Sequence, residues 1–228
     1  TKEETKEESK EESKEESKED DRELISEFVE EFIIYEGLIK SYQDPENGNT
    51  YLELSDEDIS KEFIYFAHII NGTVEAGLFK GSHIDQAVIK FEKQFNSLNL
   101  VRVNTEYYFD PNSELSRQSQ SNISDSVIEN FEITHKNEDE NTYLIDITKL
   151  LKSDNLTKLK SEPRDYESDS FGIGSLSRSK TAISKIYNYP NNTDFEVDYV
   201  FSNPASYESL RNTSVKLRYT FLEMPQDN

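Results

Sequence analysis

Short apolar runs alternate with clusters of turn-forming residues along most of the chain, and this pattern predicts β-hairpins. Two β-prone runs flank the turn cluster "DPENGN", so residues 37–42 and 51–54 are expected to pair. Two further hairpins are predicted, one turning at residues 96–99 and one around "YPNNTD". Single strands are expected in "KEFIYFAHII", in both halves of "FEITHKNEDENTYLIDIT" and in "SVKLRYTFLEM". Because hairpins pair strands antiparallel, the predicted fold class is α+β, predominantly β, with a large, mostly antiparallel sheet and a few short helices.

Helical spacing of apolar residues occurs at three places. The first predicts a short amphipathic helix over residues 22–34 that packs on the edge of the domain. The second is "SNISDSVIENF", where Ile123, Val127 and Phe131 have helical spacing, although Val and Ile also suit a strand. The third is "DITKLLKSD", which predicts one helical turn capped by Asp146 or Thr148.

The first 20 residues repeat a four-residue unit and contain no apolar side chain. On a helix this period places like charges at i and i+4, and each such pair costs roughly 0.2–0.5 kcal/mol. We therefore expect a disordered, acidic Lys/Glu/Ser spacer over residues 1–21, with a partner-binding helix as the alternative. The helix over residues 22–34 and a single β-rich domain over residues 35–228 follow it.

The net charge of −22 limits the partners of the chain. An acidic surface repels nucleic acid, whose binding depends on Lys and Arg that neutralise phosphates, and it repels an anionic membrane surface. Without a run of about 18 apolar residues, no segment of the sequence is expected to span a membrane. The absence of Cys excludes disulfides and thiolate metal sites.

Few residue patterns point to catalytic or metal chemistry. His68, His83 and His135 are not spaced like the ligands of a zinc site. The segment "GSLSRSKT" is a near match to a phosphate loop, but Ser179 replaces the second Gly. A phosphate loop also runs from a buried strand into a helix, whereas here the polar "YESDS" precedes the segment and the strand-like "AISKIYNY" follows it. With 47 acidic residues, a glycosidase carboxylate pair cannot be selected from the sequence. The loops "DPENGN" and "NEDEN" could each hold a weakly bound Ca²⁺, although a plain turn is favoured.

Several segments, in order, resemble a large bacterial family of zincin-type, zinc-dependent metalloproteases. The segment "YEGLIKSYQDPENGNTYLEL" followed by "KEFIYFAHI" is similar to the hairpin and strand that open that family. The segments "GLFKGSHIDQAVIKFEK", "LIDITKLLKSD" and "SLSRSKTAISKIYNYPNNTDFEV" resemble later parts, with Lys80 where Arg is common. The segment "VKLRYTFLEMP" resembles the closing strand, with a slightly different ending. The resemblance covers residues 35–225.

The resemblance implies an N-terminal domain of unknown function that precedes a catalytic domain with an H-E-x-x-H motif. That motif is absent here, so the chain itself is expected to be non-catalytic and to bind no cofactor, while zinc is expected in the catalytic domain. Its expected partners are the C-terminal catalytic domain of the same polypeptide and a peptide substrate, which it would contact by docking, by shaping the cleft or through a sheet edge. The family-like segments contain six residues that we expect at an interdomain contact: Gly81, Glu92, Asp146, Ser177, Arg178 and Ser179. Arg178 could hold a carboxylate bidentately, and a structural hydrogen-bonding corner is the alternative.

The same resemblance implies the bacterial cell envelope, lipid-anchored or periplasmic, or secretion. A charged, flexible stretch beginning at Thr1 is typical of the region after the lipidated Cys of bacterial lipoproteins. We therefore predict a Cys before Thr1, with membrane contact only through that N-terminal lipid anchor. A free-standing surface or periplasmic binding lipoprotein is the alternative function.

Overall fold

The computed structural model describes residues 24–106, 124–137, 141–159, 173–203 and 212–225. Within these ranges the chain has two short α-helices, a 3-10 helix (Val74–Ala76) and twelve strands. The helices are α1 (Ile25–Phe28) and α2 (Thr148–Leu151). The strands are β1 (Ile33–Tyr35), β2 (Ser41–Gln43), β3 (Thr50–Ser55), β4 (Glu62–Asn71), β5 (His83–Gln94), β6 (Ser97–Arg102), β7 (Ser126–Asn137), β8 (Thr142–Asp146), β9 (Ser175–Leu176), β10 (Ala182–Tyr189), β11 (Asn192–Ser202) and β12 (Asn212–Glu223).

The twelve strands form one sheet in the order β1-β2-β3-β8-β7-β6-β5-β4-β12-β11-β10, with β9 paired to β11. Each of these strand pairs is antiparallel. The predicted antiparallel, mostly β architecture is therefore confirmed for the part of the chain that the structure describes. No helix in that part is long and apolar enough to cross a membrane.

The sheet curls so that its two ends approach each other. The backbone N–H of Leu38, just after β1, donates to the carbonyl of Tyr189 at the end of β10, at 2.7 Å. The Asn188 side-chain amide donates to the carbonyls of Tyr35 and Ile39, at 2.8 and 2.7 Å. These bonds join elements that are far apart in the strand order, and they enclose the main hydrophobic core on the inner face.

Alternation along the strands supplies this core. In β4, residues Phe63, Tyr65, Ala67 and Ile69 are buried, while the residues between them are half-buried. The segment that contains α2 and residues 152–159 lies against the inner face. The Tyr199 hydroxyl donates to the carbonyl of Leu151, and the Tyr65 hydroxyl shares a hydrogen bond with the hydroxyl of Thr157. The inward tyrosines thus satisfy buried polar groups of the segment that fills the interior.

A smaller apolar cluster holds α1 against the rest of the fold. Ile25 and Val29 pack with Tyr42, Tyr51 and Leu144 of the neighbouring strands. The Phe28 ring also stacks on the imidazole of His135, with ring centroids 4.1 Å apart. These contacts show how the apolar side of the segment that contains α1 packs on the sheet.

Three predictions about local structure need correction. The helix expected over residues 22–34 is the single turn Ile25–Phe28 among its described residues, because Ile33 and Ile34 pair with β2 instead. The segment with helical spacing around Val127 is strand β7, since it has partners on both sides, β6 and β8. The second hairpin turns at Phe95 and Asn96 rather than at residues 96–99.

The other predicted hairpins and strands are present. The "DPENGN" turn joins β2 to β3, and the "YPNNTD" region joins β10 to β11. The last strand, β12, lies between β4 and β11. The acidic spacer over residues 1–21 and the acidic turn at residues 138–140 lie outside the described residues.

Candidate functional site

The structure places two of the six predicted site residues, Arg178 and Ser179, in the lining of one surface cleft, two others directly behind that lining and two elsewhere. Gly81 lies in the turn before β5 with φ +85°, and its N–H donates to the carbonyl of Ile69 at 2.7 Å. Glu92 lies on β5 and pairs with Lys90 at 2.8 Å. Asp146, Ser177, Arg178 and Ser179 lie at the cleft or directly behind its walls. That the six residues serve an interdomain contact stays a prediction.

Asp146 positions one wall of the cleft. Its Oδ1 accepts the backbone N–H of Thr148, the first residue of α2, at 2.8 Å. The N-cap residue is Ile147, which has no side-chain capping bond, so the prediction of Asp146 or Thr148 as the N-cap is wrong. The Thr148 hydroxyl in turn accepts the N–H of Thr50 at 2.8 Å, in a buried position. These bonds tie α2 to β3, so that Lys149 and Lys152 are presented toward the surface.

The turn at residues 177–180 forms the opposite wall. The N–H of Ser177 donates to the carbonyl of Val200 at 2.8 Å, and the carbonyl of Ser177 accepts the N–H groups of Lys180 and Thr181, each at 3.1 Å. The Thr181 hydroxyl adds a bond to the same carbonyl at 3.0 Å. Arg178 and Ser179 are exposed at the tip of this tightly bonded turn.

Between the two walls is a cleft of about 340 Å³ lined by Thr148, Lys149, Lys152, Arg178 and Ser179. We call these five residues the cationic cleft. No ion pair joins its three cations to an acidic residue of the described segments. Three positive charges and the hydroxyl of Ser179 favour an anionic group. The two lysines were not among the predicted site residues, although their i, i+3 spacing on a predicted helical turn places them on one face.

A second group of charges lies on the outer face of β11 and β12. Arg218 donates to the nearly buried carboxylate of Glu196, lies 3.8 Å from that of Asp194 and covers the ring of Tyr187 at 5.2 Å. The hydrogen bond with Glu196 raises the pKa of Arg218. Burial, and then the charge of Arg218, lower the pKa of His68 on the adjacent strand β4.

Sequence reasoning missed this outer-face network. A signal for it exists, because acidic residues occupy every second position in "DFEVD", and basic residues alternate in "VKLR" on the strand that closes the sheet. Alternating charges on two neighbouring strands are expected to face each other across one side of a sheet. The network holds β11 to β12.

The remaining candidate motifs have ordinary structural roles. Within the described ranges, no group of three or more His, Asp or Glu side chains is arranged to hold a metal ion. In the "DPENGN" turn, Asp44 accepts the N–H of Glu46 at 2.8 Å and the side-chain amide of Asn47. The "GSLSRSKT" segment runs from β9 through a turn into β10 rather than from a strand into a helix, unlike a phosphate loop.

The fold and the cleft define an antiparallel β domain with a surface cleft lined by three cationic residues. A family model described as a domain of unknown function, DUF5117, matches residues 81–228, so the chain belongs to that family. No match was found among curated proteins or among solved structures.

Proposed function

We propose that this chain is a non-catalytic accessory domain of a bacterial zinc-dependent metallopeptidase and that it acts by binding. The catalytic domain, with its zinc, would lie in the same polypeptide and be its main partner. Support comes from the order of the family-like segments over residues 35–225.

The observation that carries this proposal is the exposed apolar edge of the sheet. Strand β1 ends the strand order and pairs only with β2 among the described strands. Its Ile33 and Ile34 are 46% and 51% exposed. At its Tyr35 end β1 is bonded by Asn188 of β10, so the exposed part of the edge is Ile33 and Ile34, and an extended segment can add as a further strand only along these residues. The catalytic domain or its peptide substrate would bind at this edge.

We also propose a location at the bacterial cell envelope, through a lipid on a Cys that precedes Thr1. Residues 1–21 would then hold the domain away from the membrane. A flexible coil of about 20 residues spans on the order of 25 Å, and charge repulsion extends it further. Reading the codons upstream of Thr1 tests this part of the proposal directly, and any residue other than Cys there contradicts it.

The function is tested on the full-length protein. We expect the reading frame to continue beyond Asn228 into an H-E-x-x-H domain with chelator-sensitive peptidase activity. A charge on the β1 edge should hinder strand addition, so Ile34→Lys is expected to raise KM about five-fold or more, equivalent to about 1 kcal/mol. Val74→Lys, at an exposed apolar residue outside the edge, is the matched control and should leave KM unchanged.

Two results would contradict the accessory role. A reading frame that stops near Asn228 would favour the free-standing binding lipoprotein instead. Chelator-sensitive peptidase activity in the 228-residue chain alone would show that the chain is itself catalytic.

A further inference from the structure

We propose that the cationic cleft binds the phosphate group of a soluble phosphate monoester. This proposal does not depend on the accessory role, because it rests only on the cleft residues. It assigns a ligand class to a site for which the sequence predicted only an interdomain contact or a single carboxylate partner of Arg178.

The positions of the cations favour phosphate over a carboxylate. Lys149 and Lys152 approach from α2, whereas Arg178 approaches from the facing turn. A carboxylate has two oxygens in one plane, which the guanidinium fork of Arg178 alone can satisfy. A phosphate monoester has three terminal oxygens and up to two negative charges, so it can contact both walls at once. The Ser179 hydroxyl supplies one further donor.

Both walls are held in place before a ligand binds. The α2 wall is fixed through Asp146 and Thr50, and the turn wall through the carbonyl of Val200 and the hydroxyl of Thr181. Ligand binding therefore has to order only the three cationic side chains. Preorganisation of this kind lowers the entropic cost of binding.

The cleft brings together three cations that have no acidic partner in the described segments. Six cations elsewhere in the described segments are each engaged by an acid: Lys40, Lys61, Lys90, Arg102, Lys216 and Arg218. The cleft cations have no such partner there, and they differ from Lys80 and Lys185, which also lack one, because all three line one cavity. One oxygen of the nearby Asp146 accepts the N–H of Thr148. At physiological ionic strength charges beyond about 8 Å are screened, so the net charge of −22 opposes ligand contact in the cleft only weakly.

The size of the cleft and the net charge narrow the source of the phosphate. A volume of 340 Å³ is near the lower end for small-molecule sites, which suits a phosphate with a compact organic substituent. An anionic membrane, unlike a single small phosphate, would meet a wide area of the acidic surface within the screening distance, and this repulsion favours a soluble ligand over a lipid headgroup. The turn before β10 leads into a strand and not into a helix, unlike a phosphate loop, so recognition here would depend on side chains.

The test is calorimetric titration of the 228-residue chain with phenyl phosphate, inorganic phosphate and succinate at about 0.15 M salt, where distant charges are screened. We expect saturable binding of phenyl phosphate, weaker binding of succinate, and a loss of affinity of about ten-fold or more in both Arg178→Gln and the double variant Lys149→Gln/Lys152→Gln. Lys185→Gln removes one exposed positive charge from β10, outside the cleft, and should leave the affinity within about two-fold of the unmodified chain.

Several outcomes would overturn the proposal. These are undetectable binding of phenyl phosphate, equal affinity for phenyl phosphate and succinate, or equal affinity in Arg178→Gln and the unmodified chain. Sedimentation with phosphatidic acid vesicles, without binding of soluble phenyl phosphate, would instead assign the site to a lipid headgroup. Unchanged circular dichroism of the variants, whose substituted side chains are at the surface, confirms that any loss of binding is local.

Discussion

At the residue scale, two glycines with the same backbone conformation have different surroundings. Gly81 has φ +85° and Gly174 has φ +84°, so both lie in the left-handed region that disfavours a side chain. A Cβ at Gly81 would have no atom within 4 Å, whereas a Cβ at Gly174 would lie 2.2 Å from the carbonyl oxygen of Ser202. The requirement for glycine is therefore conformational at Gly81 and also steric at Gly174.

This difference predicts unequal effects of alanine. Gly81→Ala should lower the free energy of unfolding by about 1–2 kcal/mol, the cost of placing a side chain in the left-handed region. Gly174→Ala should cost more, about 3 kcal/mol or above, because the backbone of β11 must also move. Urea unfolding of the two variants measures both values, and equal losses would show that the contact at Ser202 relaxes freely.

The hydroxyl of Tyr199 allows a second prediction at the same scale. It donates to the carbonyl of Leu151, lies 3.1 Å from that of Ser153 and 2.8 Å from the hydroxyl of Tyr219, all in buried positions. Tyr199→Phe leaves these groups without a partner and should cost about 1–3 kcal/mol. The half-exposed Tyr189 is the control, and Tyr189→Phe should change the unfolding free energy by less than about 0.5 kcal/mol.

At the element scale, the charged network on β11 and β12 contains one nearly buried pair and one exposed pair. Glu196 and Asp194 are 4% and 7% exposed and depend on Arg218. One pair further along the same two strands, Lys216 and Asp198 lie 3.0 Å apart. The side chain of Asp198 is 39% exposed whereas that of Glu196 is 5% exposed, although the two basic side chains are about equally exposed. The two basic residues of β12 thus form a matched comparison.

Arg218→Leu should destabilise the sheet far more than Lys216→Leu. Removing Arg218 leaves two nearly buried carboxylates without their cation, and we expect a loss of about 2–4 kcal/mol. The exposed pair should contribute no more than about 0.5 kcal/mol. Urea unfolding at neutral pH measures both, and similar losses in the two variants would mean that solvent already stabilises Glu196.

Element types were predictable wherever the apolar pattern had a single interpretation. Strand β12 alternates apolar and polar residues over most of its length, and β4 is a continuous β-prone run, so each pattern indicated a strand. Around Val127 the spacing also fitted a helix, and the pairing of β7 with both β6 and β8 decided between the two. Ile33 and Ile34 likewise form an edge strand because they pair with β2, and the local spacing of apolar residues does not predict this pairing.

At the scale of the whole molecule, buried tyrosines make stability sensitive to alkaline pH. Burial raises the pKa of Tyr65, Tyr199 and Tyr219 above the ordinary value of 10.0. Burial, together with the hydrogen bond to Glu53, raises the pKa of Tyr42 to about 12. In each case the folded state retains the phenol proton at a pH at which the unfolded chain has lost it.

Stability should therefore be constant up to about pH 9 and fall above pH 10. In this range the unfolded state binds fewer protons than the folded state, so each buried tyrosine lowers the free energy of unfolding by about 1.4 kcal/mol per pH unit. The fall continues until the pKa of the folded state is reached, which for Tyr42 is about 12. Urea unfolding at several pH values measures the fall in the unfolding free energy, and phenolate absorbance follows the ionisation of the tyrosines. A pH-independent midpoint between about pH 9 and 11 would contradict the burial of these phenols.

The candidate site was only partly predictable from the sequence. The sequence analysis named Arg178, Ser179 and Asp146 as site residues because they lie within short motifs. Lys149 and Lys152 were not linked to them, since about 30 residues separate the two walls along the chain. The convergence of the walls depends on the contacts of α2 with β3 and of residues 177–181 with β11.

The sequence by itself determined most strands, most turns, the single turn of α2 and the acidic character of the protein, because periodicity, turn chemistry and charge are local properties. Only the tertiary structure decided that β3 lies beside β8 and β4 beside β12, that the ends of the sheet meet, and that three cations share one cleft. These features depend on contacts between residues far apart in the chain. Such contacts form because together they bury apolar surface and satisfy polar groups. They cannot be predicted from the sequence of any one segment.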